Sequence, residues 1–143
     1  DAGGAKRANS YAKKLDTGLA MCHKQRRVAN EVTEMTVIGD VRGKDVILID
    51  DMCDTAGTLT KAADLFLEQG ALSVRAFCTH AVLSGPAYER IEKSGLTELV
   101  VTDTIPLKQK SDKIRVVSTA SLFADVIRKL VANESISSHF IIS

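Results

Sequence analysis

The chain is 143 residues long, 45% apolar and 26% charged, which suits one globular domain with its own core and excludes a disordered chain. Nineteen Lys and Arg offset eighteen Asp and Glu, for a net charge of +1; this near-neutrality excludes a dedicated nucleic-acid binder. No apolar run reaches the ~20 residues that span a bilayer, so no membrane partner is expected. The three cysteines, Cys22, Cys53 and Cys78, are odd in number and widely spaced, as expected of reduced thiols in a cytoplasmic protein. The opening Asp1-Ala2-Gly3-Gly4 is neither a secretory signal nor an ordinary translation start, so a piece of a longer protein is expected.

In chain order, residues 5–14 read as a short helix after the glycine pair, and 19–22 as a short strand. Residues 24–27 are polar and basic, and 36–39 form another strand candidate. Val46, Ile47, Leu48 and Ile49 are four consecutive apolar residues, the pattern of a parallel strand covered on both faces. Residues 50–58 read as a loop. A helix over 59–69 is predicted from Leu59, Ala62, Ala63, Phe66 and Leu67 on one face, with Gly70 at its C′ position. A strand at 74–78 follows, then a helix opened by Gly85-Pro86. Strands at 99–102 and 114–117 precede a last helix over 122–131, with Leu122, Val126, Ile127 and Leu130 in register; residues 134–143 carry no helical period. Repeated strand–helix–strand units require crossovers. The expected fold is therefore α/β, a doubly wound, mostly parallel sheet with helices on both faces, in a single domain over 1–143.

In such sheets ligands bind beyond the carboxyl ends of the strands. This points to Asp50-Asp51-Met52-Cys53-Asp54-Thr55-Ala56-Gly57-Thr58, which leaves a strand and enters a helix, where backbone N–H groups and the helix dipole gather an anion. A Walker A loop is absent. Three acids beside a phosphate would repel it unless the roles divide in space. Backbone from Asp54 to Thr58 would hold the phosphate, with Gly57 permitting close approach. Asp50 and Asp51 would face sugar hydroxyls or a Mg2+ ion. The plainer alternative is a helix cap with solvated acids.

The segment VILIDDMCDTAGT resembles the phosphoribosyl-diphosphate (PRPP) loop of type I phosphoribosyltransferase folds. Its DDM-x-DT-x-GT form is similar to that of the ribose-phosphate pyrophosphokinase (PRPP synthetase) family. DAGGAKRA, HKQRRVANEV, THAVLSGPA, VVTDTIP and ESISSHF extend the resemblance through nearly the whole chain.

That resemblance implies the carboxyl-terminal domain of a longer two-domain enzyme, with the amino-terminal domain absent and the piece alone inactive. The reaction implied transfers diphosphate from ATP to the 1-hydroxyl of ribose 5-phosphate, giving PRPP and AMP, with Mg2+ as cofactor. Asp50 and Asp51 would contact the ribose hydroxyls, and Asp54, Thr55, Ala56, Gly57 and Thr58 would cradle the 5-phosphate. Lys24 and Arg26 match the family's two catalytic cations on a mobile loop, where charge on the transferring phosphoryl oxygens needs them. Gln25 departs from a basic residue frequent at that position. Asp1 matches a Mg2+-binding aspartate. Ser135, Ser137 and Phe140 match a tail that helps form a regulatory phosphate/ADP site at a subunit interface, in a homo-oligomer running from dimer to hexamer.

His23, His80 and His139 have no metal-type spacing and read as structural or surface residues. Cys53, beside a helix N-terminus that can lower a thiol pKa, reads as a space-filler open to alkylation, while Cys22, Cys78, Met35 and Met52 read as packing. Two other readings remain: another phosphoribosyltransferase, against which HKQRR and ESISSHF argue, and a non-catalytic PRPP synthetase-associated or PRPP-binding regulatory protein.

Overall fold

The chain runs α1 (Ala2–Lys14), β1 (Met21–Gln25), β2 (Glu34–Ile38), β3 (Asp45–Cys53), α2 (Gly57–Glu68), β4 (Ser73–Ala81), α3 (Ala87–Lys93), β5 (Glu98–Thr102), β6 (Ile114–Val117) and α4 (Ala120–Val131), and closes with a 3-10 turn at Ser137–His139. The computed structural model describes residues 2–25 and 34–140. β3, β4, β5 and β6 form one parallel sheet in that order, and β1 and β2 a separate antiparallel pair. The α/β fold with a parallel sheet flanked by helices is thus the one the sequence predicts.

Sequential parallel strands joined by right-handed crossovers put successive helices on one face. That face is the core. Val74, Ala76 and Cys78 of β4 and Leu99 and Val101 of β5 pack with Ala62, Ala63 and Phe66 of α2 and Ala87 and Ile91 of α3. Strand β4 alternates, with Val74, Ala76 and Cys78 buried and Arg75, Phe77 and Thr79 exposed. Gly70, at φ +92°, ends α2 as predicted. Its N–H donates to the Leu67 carbonyl (2.9 Å) and that of Ala71 to Phe66 (3.0 Å), the two bonds of a Schellman motif.

The other face differs from the sequence expectation. α1 packs on β3, yet Ile47 stays 50% exposed and Phe77 38%. Four apolar residues in a row require apolar surroundings on both sides, but α1 covers the strand only in part. The remainder is a cavity of about 700 Å³ whose lining includes Arg7, Tyr11, Leu15, Ile47, Phe77 and Val117. α4 forms as predicted, but its stripe of Leu122, Phe123, Ile127 and Leu130 is 47–59% exposed.

Strand β1 begins two residues later than predicted, so Lys24, read as part of a basic loop, lies within it and pairs with Met35 across the hairpin. β2 packs on α2 and brings Met35 and Val37 to the core.

Asp103, just past β5, ties the end of the sheet to the start of α4. It accepts the Ser118 hydroxyl (2.5 Å), the Thr119 N–H (2.9 Å) and the Thr119 hydroxyl (2.7 Å). These donors, with Ser118 contributing most, hold its carboxyl down to about 2. Its unfolded value is roughly 3.9. A depressed folded pKa adds stability that is present above the unfolded value and lost as pH falls through the folded one. Asp103→Asn should therefore lower the melting temperature at neutral pH and flatten its acid dependence between about pH 4 and 2; melting curves across that range check this.

Candidate functional site

The site begins where β3 ends. Asp50 and Asp51, expected in a loop, lie inside β3, and Gly57 and Thr58 already belong to α2. The connection is only Asp54, Thr55 and Ala56. To turn from strand to helix in three residues, Ala56 takes a left-handed conformation (φ 57°, ψ 2°) while 5% exposed. For a non-glycine residue this costs about 1–2 kcal/mol, and such strain persists where the surroundings over-determine it, commonly at functional sites.

Those surroundings are visible. Leu83 and Ser84 of the β4–α3 connection donate backbone N–H bonds to the Cys53 and Asp54 carbonyls, both at 3.1 Å. The Ser84 hydroxyl bonds the Asp54 carboxylate, and Arg90 Nη1 donates to the Thr55 carbonyl at 2.9 Å. The Thr60 hydroxyl, buried, donates to the Ala56 carbonyl at 2.9 Å.

No side chain of the cap residue bonds the start of α2. Its first-turn N–H groups, with the positive end of the helix dipole, form a ready anion site. The room at Gly57 is filled from within the protein: a Cβ there would sit 3.1 Å from Arg90 Nη1 and 3.6 Å from its Cζ. The glycine thus serves the approach of Arg90, where sequence reasoning gave that room to ligand.

The two acids of β3 differ electrostatically. Asp50 accepts the Asp51 N–H at 2.9 Å, and Asp51 meets Arg7 Nη2 of α1 at 3.3 Å. Desolvation raises the Asp50 carboxyl above its ordinary value, although the Asp51 N–H bond draws it down. The side-chain bond with Asp50, then that with Arg7, lowers Asp51. Asp50, Asp51 and Arg7 share the large cavity with Thr79 of β4 and Thr102 of β5. Thr102 and Thr104 hydroxyls both donate to the Thr79 carbonyl, at 2.7 and 3.1 Å, and Thr104 meets His80 Nδ1 at 3.0 Å. The carboxyl edge of the sheet thus presents carboxylates, a guanidinium and hydroxyls beside a helix N-terminus, a donor set suited to a phosphorylated sugar.

The remaining predicted residues divide. Asp1 and Arg26 lie outside the described residues. Lys24 is placed by its backbone in β1. Ser135 and Ser137 are brought together after α4, with hydroxyls 2.9 Å apart, and Phe140 is 60% exposed. Among the described residues no hydrogen bond or ion pair joins that tail to residues 50–58; it is tied to α4, where His139 Nε2 meets Asp125 at 2.8 Å.

Cys53 closes β3 facing the core, filling space as expected, and desolvation pushes its thiol up to about 11, which opposes the alkylation sensitivity. Burial likewise raises Cys78 to about 12. Met52, expected to pack, is 52% exposed, because it alternates with inward Cys53 along the strand.

Arg7, Ser84 and Arg90 were given no role by sequence reasoning. Arg7 and Ser84 sit within quoted motifs, DAGGAKRA and THAVLSGPA, but Arg90 lies beyond them, 35 residues from its partner Thr55.

A parallel α/β sheet flanked by helices, with an uncapped strand–turn–helix at its carboxyl edge, is a fold of the phosphoribosyltransferase type. The family described as phosphoribosyl synthetase-associated domain matches residues 25–141, and the chain belongs to that family. It is 53% identical over 137 residues to a ribose-phosphate pyrophosphokinase of Porphyromonas gingivalis, covering 96% of this chain and 44% of the relative. It is 55% identical over 141 residues to one from Campylobacter jejuni, covering 99% and 46%. Ribose-phosphate pyrophosphokinase A of Dictyostelium discoideum is 47% identical, covering 98% and 45%. The crystal structure of a phosphoribosylpyrophosphate synthetase from Mycobacterium smegmatis superposes with a TM-score of 0.82 at 39% identity, covering 92% of this chain and 43% of that one. The chain therefore spans less than half the length of these relatives.

Because a thiol must ionise to react, Cys53 and Cys78 should resist alkylation at pH 8 in the folded chain and react at least ~100-fold faster once it is denatured. Mass-spectrometric counting of iodoacetamide adducts checks this; rapid labelling of native Cys53 would contradict its placement.

Proposed function

We propose that this chain is the carboxyl-terminal domain of a ribose-phosphate diphosphokinase, in which diphosphate passes from ATP to the 1-hydroxyl of ribose 5-phosphate to give PRPP and AMP. The observation that carries the reading is the left-handed turn at Ala56. In a chain of this family, it leaves the uncapped start of α2 beside paired carboxylates on one sheet edge.

The roles follow from the chemistry of each group. First-turn N–H groups of α2, with the Thr55 and Thr58 hydroxyls, bind the 5-phosphate. The Asp54 carboxylate is engaged by Ser84, which separates it from that role. Asp50 and Asp51 accept hydrogen bonds from the ribose hydroxyls. The same pair fits Mg2+, a hard cation held through one or two carboxylates plus substrate phosphates; bound there, it would neutralise phosphate charge. Asp1 belongs to the metal-binding set of the proposal. Lys24 and Arg26 supply cations to the transferring diphosphoryl group. Lys24, at the connecting end of the β1–β2 pair, lies two residues before Arg26.

The amino-terminal part of the longer enzyme supplies the ATP site, so this domain alone has no turnover. Ser135, Ser137 and Phe140 belong to a regulatory phosphate/ADP site in a homo-oligomer, and the enzyme works in the cytoplasm.

The longer protein, given ATP, ribose 5-phosphate, Mg2+ and phosphate, should release AMP. Replacing Lys24 and Arg26 together by Ala should cut kcat by roughly 10³-fold or more. Gly57→Val, which drives a branched side chain into Arg90, should abolish saturable ribose 5-phosphate binding. AMP release that survives the double replacement, or none from the unaltered protein, would overturn the reading.

A further inference from the structure

The peptide joining Thr55 to Ala56 is gripped at its carbonyl, which accepts Arg90 Nη1 at 2.9 Å. A trans peptide is planar, with its C=O and N–H on opposite sides, and no cis peptide occurs among the described residues. Fixing the carbonyl toward α3 therefore fixes the N–H toward the core. A peptide flip would break the Arg90 bond and carry Ala56 out of its left-handed conformation, a strain such a flip would relieve.

The grip comes from a stiff backing. The β4–α3 connection has its own left-handed residues, Leu83 at φ 46° and Gly85 at φ 53°, with Leu83 2% exposed. Its backbone bonds to Cys53 and Asp54 continue the β3–β4 pairing past the strand ends. Arg90, one turn into α3, reaches back across this connection and rests against Gly57.

We propose that Arg90 is a positioning residue for the anion loop: by holding the Thr55 carbonyl it locks Ala56 in the left-handed turn from which the first N–H groups of α2 meet the phosphate of a sugar phosphate. This rests on the ribose 5-phosphate reading of the site. Arg90 acts through the turn, not on the reacting atoms.

The test is calorimetric titration of the full chain with ribose 5-phosphate, with thermal melting of each variant. Arg90→Met should weaken binding by roughly tenfold to a hundredfold, as expected for a lost hydrogen bond to a charged donor. Arg90→Gln, which keeps an N–H donor, should lose less. Ala56→Gly placed in the Arg90→Met background should recover much of the loss, because glycine takes the left-handed conformation without strain. Lys93→Gln, on the same helix but paired with Glu89, should bind as the unaltered chain does.

Unchanged binding by Arg90→Met, with binding still lost in Gly57→Val, overturns the positioning role alone. Recovery by Arg90→Lys but not by Gln or by Ala56→Gly also overturns it, since charge rather than the locked turn would then carry the effect. If Arg90→Met does not melt cooperatively, the comparison of Arg90→Gln with and without Ala56→Gly decides. An unaltered chain that binds no ribose 5-phosphate overturns both the site reading and this inference.

Discussion

The turn from β3 into α2 constrains everything else in this molecule. Three residues must reverse the chain, and the middle of the solution is an alanine in a conformation that favours glycine. That choice sets where α2 starts, leaves its first turn without a side-chain cap, and obliges neighbouring elements to hold the backbone in place. Strand β4, its following connection and α3 are all recruited to that end, through Leu83, Ser84 and Arg90. The core beneath, built on Val74, Ala76, Cys78 and Phe66, keeps these pieces in register.

The site resolves an electrostatic conflict by distance and by partner. Carboxylates and an anion-binding helix start occupy one sheet edge, yet each acid has its own ties. Asp50 and Asp51 stay on the strand, with Arg7 against Asp51, and Asp54 is taken up by Ser84. Asp103 is saturated by three donors at the adjoining strand end and is structural. The near-zero net charge is therefore the sum of opposed local fields, not evidence of an inert surface.

Much of this was legible in the sequence, for identifiable reasons. Strands β4, β5 and β6 and helix α2 announce themselves by period and by Gly70, whose positive φ a C′ residue needs. The strand–turn–helix of residues 50–58 was visible because strand, small residues and helix follow each other locally. What stayed hidden is long-range. Arg90 meets Thr55 across 35 positions, and no local pattern marks a surface arginine as a brace. Cys53 fills space as read, but the alkylation sensitivity inferred from its place near a helix start is opposed by its inward direction. The apolar run at Val46 to Ile49 gave the strand correctly but overstated its cover, since hydrophobicity reports what a residue wants and not which part of this chain supplies it. The same holds for the stripe along α4.

The central claim is that the first turn of α2 takes the phosphate of ribose 5-phosphate. Amide chemical-shift mapping of the chain during titration tests it most directly. The N–H resonances of Gly57, Thr58 and Leu59 should move saturably with ribose 5-phosphate and stay still with ribose alone. Shifts confined to the tail around Ser135 and Ser137, or equal shifts with unphosphorylated ribose, would contradict it.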